Sequence, residues 1–310
     1  MTSAVVTGSS GLIGTPLVAA RRSAGMDVRG VDARPSAATD VVGDLTRPGP
    51  WQDVVAAAEV VVHTAALVGE RGPRQAFWDV NVGGTRAVLA AATGRVVHVS
   101  SIVVHGSSFP DGVDESAPVH PTGNPYTDTK IASEHLALLA AAAGRPVAVV
   151  RPGDVYGPGS DGWTVRPVQM LRAGRLAVPS TGVLSPVFLD DVVEGIAAAA
   201  VRDEALGQVV HLAGGVGVSP REFFGHYARM LGGARLPAVP TPLLAAAATP
   251  LGLLGSRAPM SRRTLEYVTH PGTYSIEKAA HLLDWRPRTS LGEGMARTEV
   301  WLREQGLLTR

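Results

Sequence analysis

Short valine-rich runs at residues 4–6, 28–31, 60–63, 96–99 and 147–150 alternate with longer stretches rich in alanine and leucine, at 12–24, 75–92 and 126–143. Runs without polar alternation bury both faces, and strands separated by helices pair in parallel, so this pattern predicts an α/β fold: a doubly wound parallel sheet covered on both sides. Gly144 and Pro146 end the third long helix. The expected strand order is 3-2-1-4-5-6, with a seventh strand added late.

Past Arg151-Pro152 the texture changes, because proline and glycine interrupt the helical stretches at 220–231, 243–254 and 261–268. Residues 1–152 are therefore read as a dinucleotide-binding domain, completed by 184–212, where segments 187–189 and 209–212 still read as sheet. Residues 153–183 and 213–310 are read as a smaller mixed lobe that closes over the strands' C-terminal ends and holds the substrate.

The chain has 28 basic and 27 acidic side chains among 310 residues and no long run of either sign, which argues against a nucleic-acid partner. With no cysteine, disulfides, thiolate metal sites and cysteine nucleophiles are excluded together. Nine histidines form no HxxxH or HxH pair, so no metal centre is expected. The chain opens on Ala4-Val5-Val6 rather than a basic segment before an apolar one, and the expected compartment is the cytoplasm. Its most apolar stretch, 236–254, is broken by Pro237, Pro240, Pro242 and Pro250, and is read as a helix in the lobe rather than a membrane span, with a surface-bound or substrate-covering helix as the alternative.

Gly8-Ser9-Ser10-Gly11-Leu12-Ile13-Gly14 follows the first strand and opens a helix. Glycines at this spacing let backbone approach a pyrophosphate at a helix N-terminus. Glycine is abundant here, so the triplet counts mainly through its setting: Asp32 ends the next strand, where an acid accepts the adenosine ribose hydroxyls. That carboxylate would repel a 2′-phosphate, which favours NAD over NADP, although Arg34 could cover such a phosphate or stack on adenine.

Only two lysines occur, and each follows a tyrosine by four residues: Tyr126/Lys130 and Tyr274/Lys278. Position favours the first pair, since Tyr126 opens a helix just after the fifth strand, which Ser100-Ser101 ends. On a helix those two side chains share a face. A phenol of reference pKa ~10 working near neutrality needs ~3 to 4 kcal/mol of phenolate stabilisation, for which Lys130 and an oxidised nicotinamide are sources. Ser101 would hold the substrate oxygen while Tyr126 moves its proton.

With these residues in place, the chain resembles the extended short-chain dehydrogenase/reductase superfamily, the group with the NAD-dependent epimerase/dehydratase proteins, over nearly its full length. The resemblance implies that Asp44-Leu45 contact adenine, that Thr64, Ala65 and Ala66 in HTAA pass near the cofactor, and that Asn81, Ser100 and Pro152 belong to the cofactor site. VSSIVVHG, PYTDTK and RPGDVYGP match the family's elements, with Ser101 as the catalytic serine. Asp154 stands where some relatives direct an asparagine at substrate, and a hydrogen bond to backbone is its plainer role. His105 is read as facing substrate or packing the loop, and Asp190-Asp191 as capping a helix.

Departures bear on substrate. Sugar-nucleotide epimerases of the group carry an arginine for the diphosphate where this chain reads Leu184-Ser185-Pro186-Val187-Phe188-Leu189-Asp190-Asp191, leaving Arg166, Arg172 and Arg175 as candidates. Dehydratases place an Asp-Glu pair where Ile102-Val103 stand, and apolar side chains relay no proton. The C-terminal lobe is similar to that of the 3β-hydroxysteroid dehydrogenase-like branch, which implies a lipophilic, non-nucleotide alcohol or ketone. The expected activity is NAD-dependent interconversion of the two. The alternatives are a sugar-nucleotide epimerase using the same trio and a non-catalytic NAD-binding regulator. A homodimer packed through helices 75–92 and 126–143 is expected from the same resemblance.

Overall fold

The computed structural model describes residues 3–69, 72–246 and 262–308. Its main sheet has seven parallel strands in the order β3-β2-β1-β4-β5-β6-β10. These are β1 (Ser3–Thr7), β2 (Asp27–Asp32), β3 (Val41–Val42), β4 (Val60–His63), β5 (Arg95–Val99), β6 (Val147–Pro152) and β10 (Val209–Leu212). The valine runs are explained by two cores. Val5, Val61, Val96 and Val147 pack on one face with Trp51, Val88 and Ala137. Val6, Val62, Val97 and Val150 pack on the other with Leu17, Val192 and Ile196. A strand between two helical layers has no solvent face, so alternate residues are apolar toward both.

Four short strands pair apart from this sheet: β7 (Asp154–Tyr156) with β9 (Pro186–Phe188), and β8 (Val178–Pro179) with β11 (Ala238–Val239). The segment at 187–189 expected to rejoin the sheet thus pairs beside it, and β10 alone becomes the seventh strand. The intervening helix Leu189–Val201 still covers the sheet, through Val192, Val193 and Ile196. The lobe has its own core of Tyr156, Phe188, Phe223, Tyr227, Leu265 and Met295.

Three other expectations change. The helix expected at 75–92 is Arg74–Phe77, a π-helical turn Trp78–Gly84, then Thr85–Ala91. Asp190 and Asp191 do not cap their helix. Asp190 pairs with Arg297, and the Asp191 carboxylate accepts the Arg288 and Thr289 N–H groups at 3.1 Å each, fastening the C-terminal segment. The lobe helix expected at 243–254 lies mostly outside the described residues, which show its helical start through residue 246. Among the described residues no helix is long and apolar enough to cross a membrane.

One ion pair sits inside the domain. Arg151 on β6 donates to both carboxylate oxygens of Glu134 on helix Pro125–Ala142, at 2.5 and 3.0 Å, with both side chains buried. Arg151 also contacts the His105 Nε2 at 3.0 Å, which turns that ring inward. Removing one partner strands a buried charge. Glu134→Ala should therefore lower the unfolding free energy by ~3 to 5 kcal/mol, while Glu134→Met with Arg151→Met should lose distinctly less, as read by urea denaturation.

Candidate active site

The glycine turn follows β1 at the carboxyl edge of the sheet. Gly8 has φ +79°, and a Cβ there would lie 2.6 Å from the Ala65 backbone nitrogen. A Cβ on Gly14, the first residue of helix Gly14–Ser23, would come within 2.1 Å of the Gly8 carbonyl oxygen. The turn is thus closed against both its own helix and the loop after β4, leaving bare backbone at a helix N-terminus.

Asp32, the last residue of β2, accepts the Ser10 N–H at 3.0 Å and the Arg34 N–H at 2.8 Å, which fixes its carboxylate beside the turn. The Arg34 guanidinium stays largely exposed, 3.8 Å from that carboxylate. Thr64 donates to the Thr7 carbonyl at 2.8 Å. Gly8, Gly11, Leu12, Ile13, Gly14, Asp32, Thr64, Ala65 and Ala66 therefore lie on neighbouring turns around the ends of β1, β2 and β4.

Three further cofactor candidates have partners within the protein. Asp44 accepts the Thr46 N–H and hydroxyl at 2.9 and 2.8 Å, which hold its carboxyl below the ordinary range, while Leu45 packs against Gly84. The Asn81 amide donates to the Leu67 carbonyl at 3.0 Å and Thr129 Oγ1 at 2.9 Å, and accepts the Leu67 N–H at 2.7 Å. It ties the π-helical turn to the Tyr126 helix.

The chemical group gathers at the end of β5. Ser101, in extended conformation, starts the 3-10 turn Ile102–His105, where its hydroxyl accepts the Val103 N–H at 3.4 Å and draws the Tyr126 phenol down. Asn124 caps the helix by accepting the Tyr126 N–H at 2.8 Å, with Pro125 in the first turn. One turn later the buried Lys130 ammonium donates to the Val99 carbonyl at 2.6 Å. Burial pushes Lys130 down to about 8, and Glu134 opposes that shift. Burial also pushes the Tyr126 phenol up, with Ser101 drawing it partly back, so without cofactor the chain does not supply the lowered phenol expected from sequence. Ser100 is buried beside this group, and its hydroxyl has no hydrogen-bond partner.

The second tyrosine-lysine pair does not form a helical face. Tyr274 bridges Val113 in extended conformation, and helix Glu277–Leu283 begins after it. Sequence reasoning missed a further residue here: Tyr267, on helix Arg262–Val268, donates to Asp154 at 2.6 Å. Its only linear signal is an aromatic on a short polar helix, which names no partner.

Residues 4–213 match the NAD dependent epimerase/dehydratase family. The chain belongs to that family. It is 34% identical to a 3-diazoavenalumate denitrifying reductase of a Streptomyces species, over 94% of this chain and 99% of the relative. It is 30% identical to a 4-hydroxy-2-methyl-3-oxo-4-farnesyl-3,4-dihydroquinoline-1-oxide ketoreductase of Stigmatella aurantiaca, over 70% of each. Among solved structures it is similar to MoeE5 in complex with UDP-glucose and NAD, with a TM-score of 0.79, 27% identity, and coverage of 98% of this chain and 99% of that one.

The bare glycine turn, the fixed Asp32 carboxylate and the unpaired Ser100 hydroxyl fit NAD as the family's cofactor. Gly14→Val, which puts side-chain atoms into the Gly8 backbone, should weaken NAD binding by about tenfold or more, as read by calorimetry. Binding as tight as wild type would remove this turn from the cofactor site.

Proposed function

We propose that this family member interconverts a secondary alcohol and a ketone with net turnover of NAD, on a lipophilic substrate that carries no nucleotide. The observation that carries the reading is the Ser101–Tyr126–Lys130 group: a serine hydroxyl on a phenol, and a buried ammonium one helical turn along. NAD, when bound, takes or gives the hydride. The Gly8, Gly11 and Gly14 backbone would hold its pyrophosphate and Asp32 its adenosine ribose. Ser101 holds the substrate oxygen, Tyr126 moves a proton to or from that oxygen, and the Lys130 charge favours the phenolate.

Two kinds of observation support a substrate without a diphosphate. Ile102 is buried and apolar where a dehydratase needs an acid, and segment 184–191 brings no arginine. Arg297, which does reach that segment, pairs with Asp190 and lies 4.5 Å over the Phe188 ring. Arg166, Arg172 and Arg175 are exposed, and Arg172 donates to the Leu307 carbonyl at 3.2 Å. The curated relatives described above are named as reductases, one of them acting on a farnesylated ketone. A sugar-nucleotide epimerase is the second reading, favoured by the likeness to MoeE5 along nearly its whole length. We also propose a homodimer through the segment 74–91 and helix Pro125–Ala142, where Leu139 is 67% exposed.

Absorbance of NADH separates the two readings, since an epimerase returns its hydride and shows no net change. Tyr126→Phe should reduce turnover by about 100-fold or more while NAD binding stays within about threefold of wild type. Loss of both together would point to misfolding. A regulator would keep its partner effect in that variant. A clear thermal shift with UDP, dTDP or GDP in the presence of NAD would move the epimerase ahead.

The Lys130 charge sets a pH limb. Its pKa is depressed to about 8, so the charge is present below that value and lost as pH rises through it. Ketone reduction should fall across that limb, because the charge that stabilises the phenolate left when Tyr126 gives up its proton is lost. Glu134 raises Lys130, so Glu134→Gln should move the limb to lower pH, as read from kcat against pH.

A further inference from the structure

Asp154 stands two residues past β6, in the short strand β7, where the sheet turns toward the lobe. Both of its carboxylate oxygens are engaged: Oδ2 accepts the Ser185 N–H at 2.9 Å and Oδ1 accepts the Tyr267 hydroxyl at 2.6 Å. Asp154 is itself buried, so it reaches the cleft only through Tyr267. From the helix that carries Tyr267, the Arg263 guanidinium reaches Gly123 in the loop leading into the Tyr126 helix, where a Cβ would lie 3.2 Å from it. Tyr267 is only partly buried, and the Tyr126 and Tyr274 phenols are close enough to act on it electrostatically.

Donor and acceptor counting fixes what this phenol offers. A tyrosine hydroxyl has one proton, and here Asp154 takes it. What remains on the oxygen is lone pairs, with a buried carboxylate behind them. Such an oxygen accepts a hydrogen bond and repels an anion. The rest of the wall is aromatic: the His270 ring centroid is 5.6 Å from that of Tyr267 and 6.1 Å from that of Tyr274.

We infer that Tyr267, oriented by Asp154, is a specificity-determining residue that accepts a hydrogen bond from a hydroxyl next to the reacting carbon, so that the substrate is a hydroxy-ketone or the corresponding diol. The inference rests on the alcohol–ketone reading above and narrows it. It excludes a carboxylate or phosphate at that neighbouring position. The lipophilic part of the substrate is unaffected, because the contact specifies one substituent only.

The test uses the full chain with NADH and two matched ketones, 2-hydroxyacetophenone and 2-methoxyacetophenone, which differ in whether the neighbouring oxygen carries a proton. Wild type should favour the hydroxy-ketone in kcat/KM by about tenfold or more. Tyr267→Phe should bring the ratio to about one, mainly through a raised KM for the hydroxy-ketone. If loss of the phenol alone unfolds the chain by stranding Asp154, Tyr267→Phe with Asp154→Asn removes the buried charge and should give the same collapse.

A wild-type ratio near one, or a ratio that survives both variants, overturns the assignment; in that case Tyr126→Phe abolishing both reductions leaves the alcohol–ketone reading standing. Should wild type reduce neither ketone, that reading fails on this pair, and calorimetry of 2-hydroxyacetophenone on the NADH complex decides the role of Tyr267. Binding lost in Tyr267→Phe supports it, and absent or unchanged binding overturns it.

Discussion

The 2.6 Å hydrogen bond from Lys130 to the Val99 carbonyl joins the Tyr126 helix to the strand that ends at Ser100 and Ser101. It places an ammonium group under a parallel sheet, where desolvation is severe, and the surrounding residues are arranged around that charge. Glu134, one turn along, supplies the compensating negative charge and is itself held by Arg151. Helix, strand and ion pair thus depend on one another. Replacing Lys130 would remove a reacting-site charge and also unbalance a buried network.

The same demand reaches across the sheet. Thr7, His63 and His98 stand side by side on β1, β4 and β5. Thr85 donates to the Asn81 carbonyl at 2.6 Å, so at His63 Nε2, 2.9 Å away, it accepts; His63 then carries its proton on Nε2 and accepts from Thr7 at Nδ1, 2.7 Å away. Burial and the Lys130 charge hold His63 neutral, with its pKa pushed down to about 3. A charged imidazolium here would compete with Lys130, and a neutral ring does not. The π-helical turn belongs to this arrangement, because Asn81 lies within it and binds both Leu67 and Thr129 on the Tyr126 helix.

What could be read from the chain follows from how local each signal is. The valine runs report burial on both faces at each strand separately, and the glycine turn reports close backbone approach within seven residues, so sheet order and turn were both legible. Tyr126 and Lys130 lie one helical turn apart and carry their geometry with them. Asp190 and Asp191 looked like caps because they open a helix, yet their partners are Arg297, Arg288 and Thr289, about 100 residues on. Tyr267 and Asp154 are separated by 113 positions and met only when the lobe folded back on β7. The π-helical turn was hidden for another reason: Asn81 distorts the helix through bonds to loop residue Leu67, which no helical periodicity records.

This division bears on how the family varies its substrates. The glycine turn and the loops after β2 and β4 are fixed by the sheet, and the chain as a whole is similar both to a protein seen in complex with UDP-glucose and NAD and to a ketoreductase. The carboxyl edge meets the lobe through Asp154 to Tyr267, Asp190 to Arg297 and Asp191 to the backbone at 288–289. Three acids at the sheet edge, each already bound to the lobe, present no positive charge to a diphosphate. An arginine free to clamp one would need a different pairing at Asp190, since Arg297 is held there and over Phe188. Lobe docking thus uses up the charges of these acids and of Arg297 in one set of contacts.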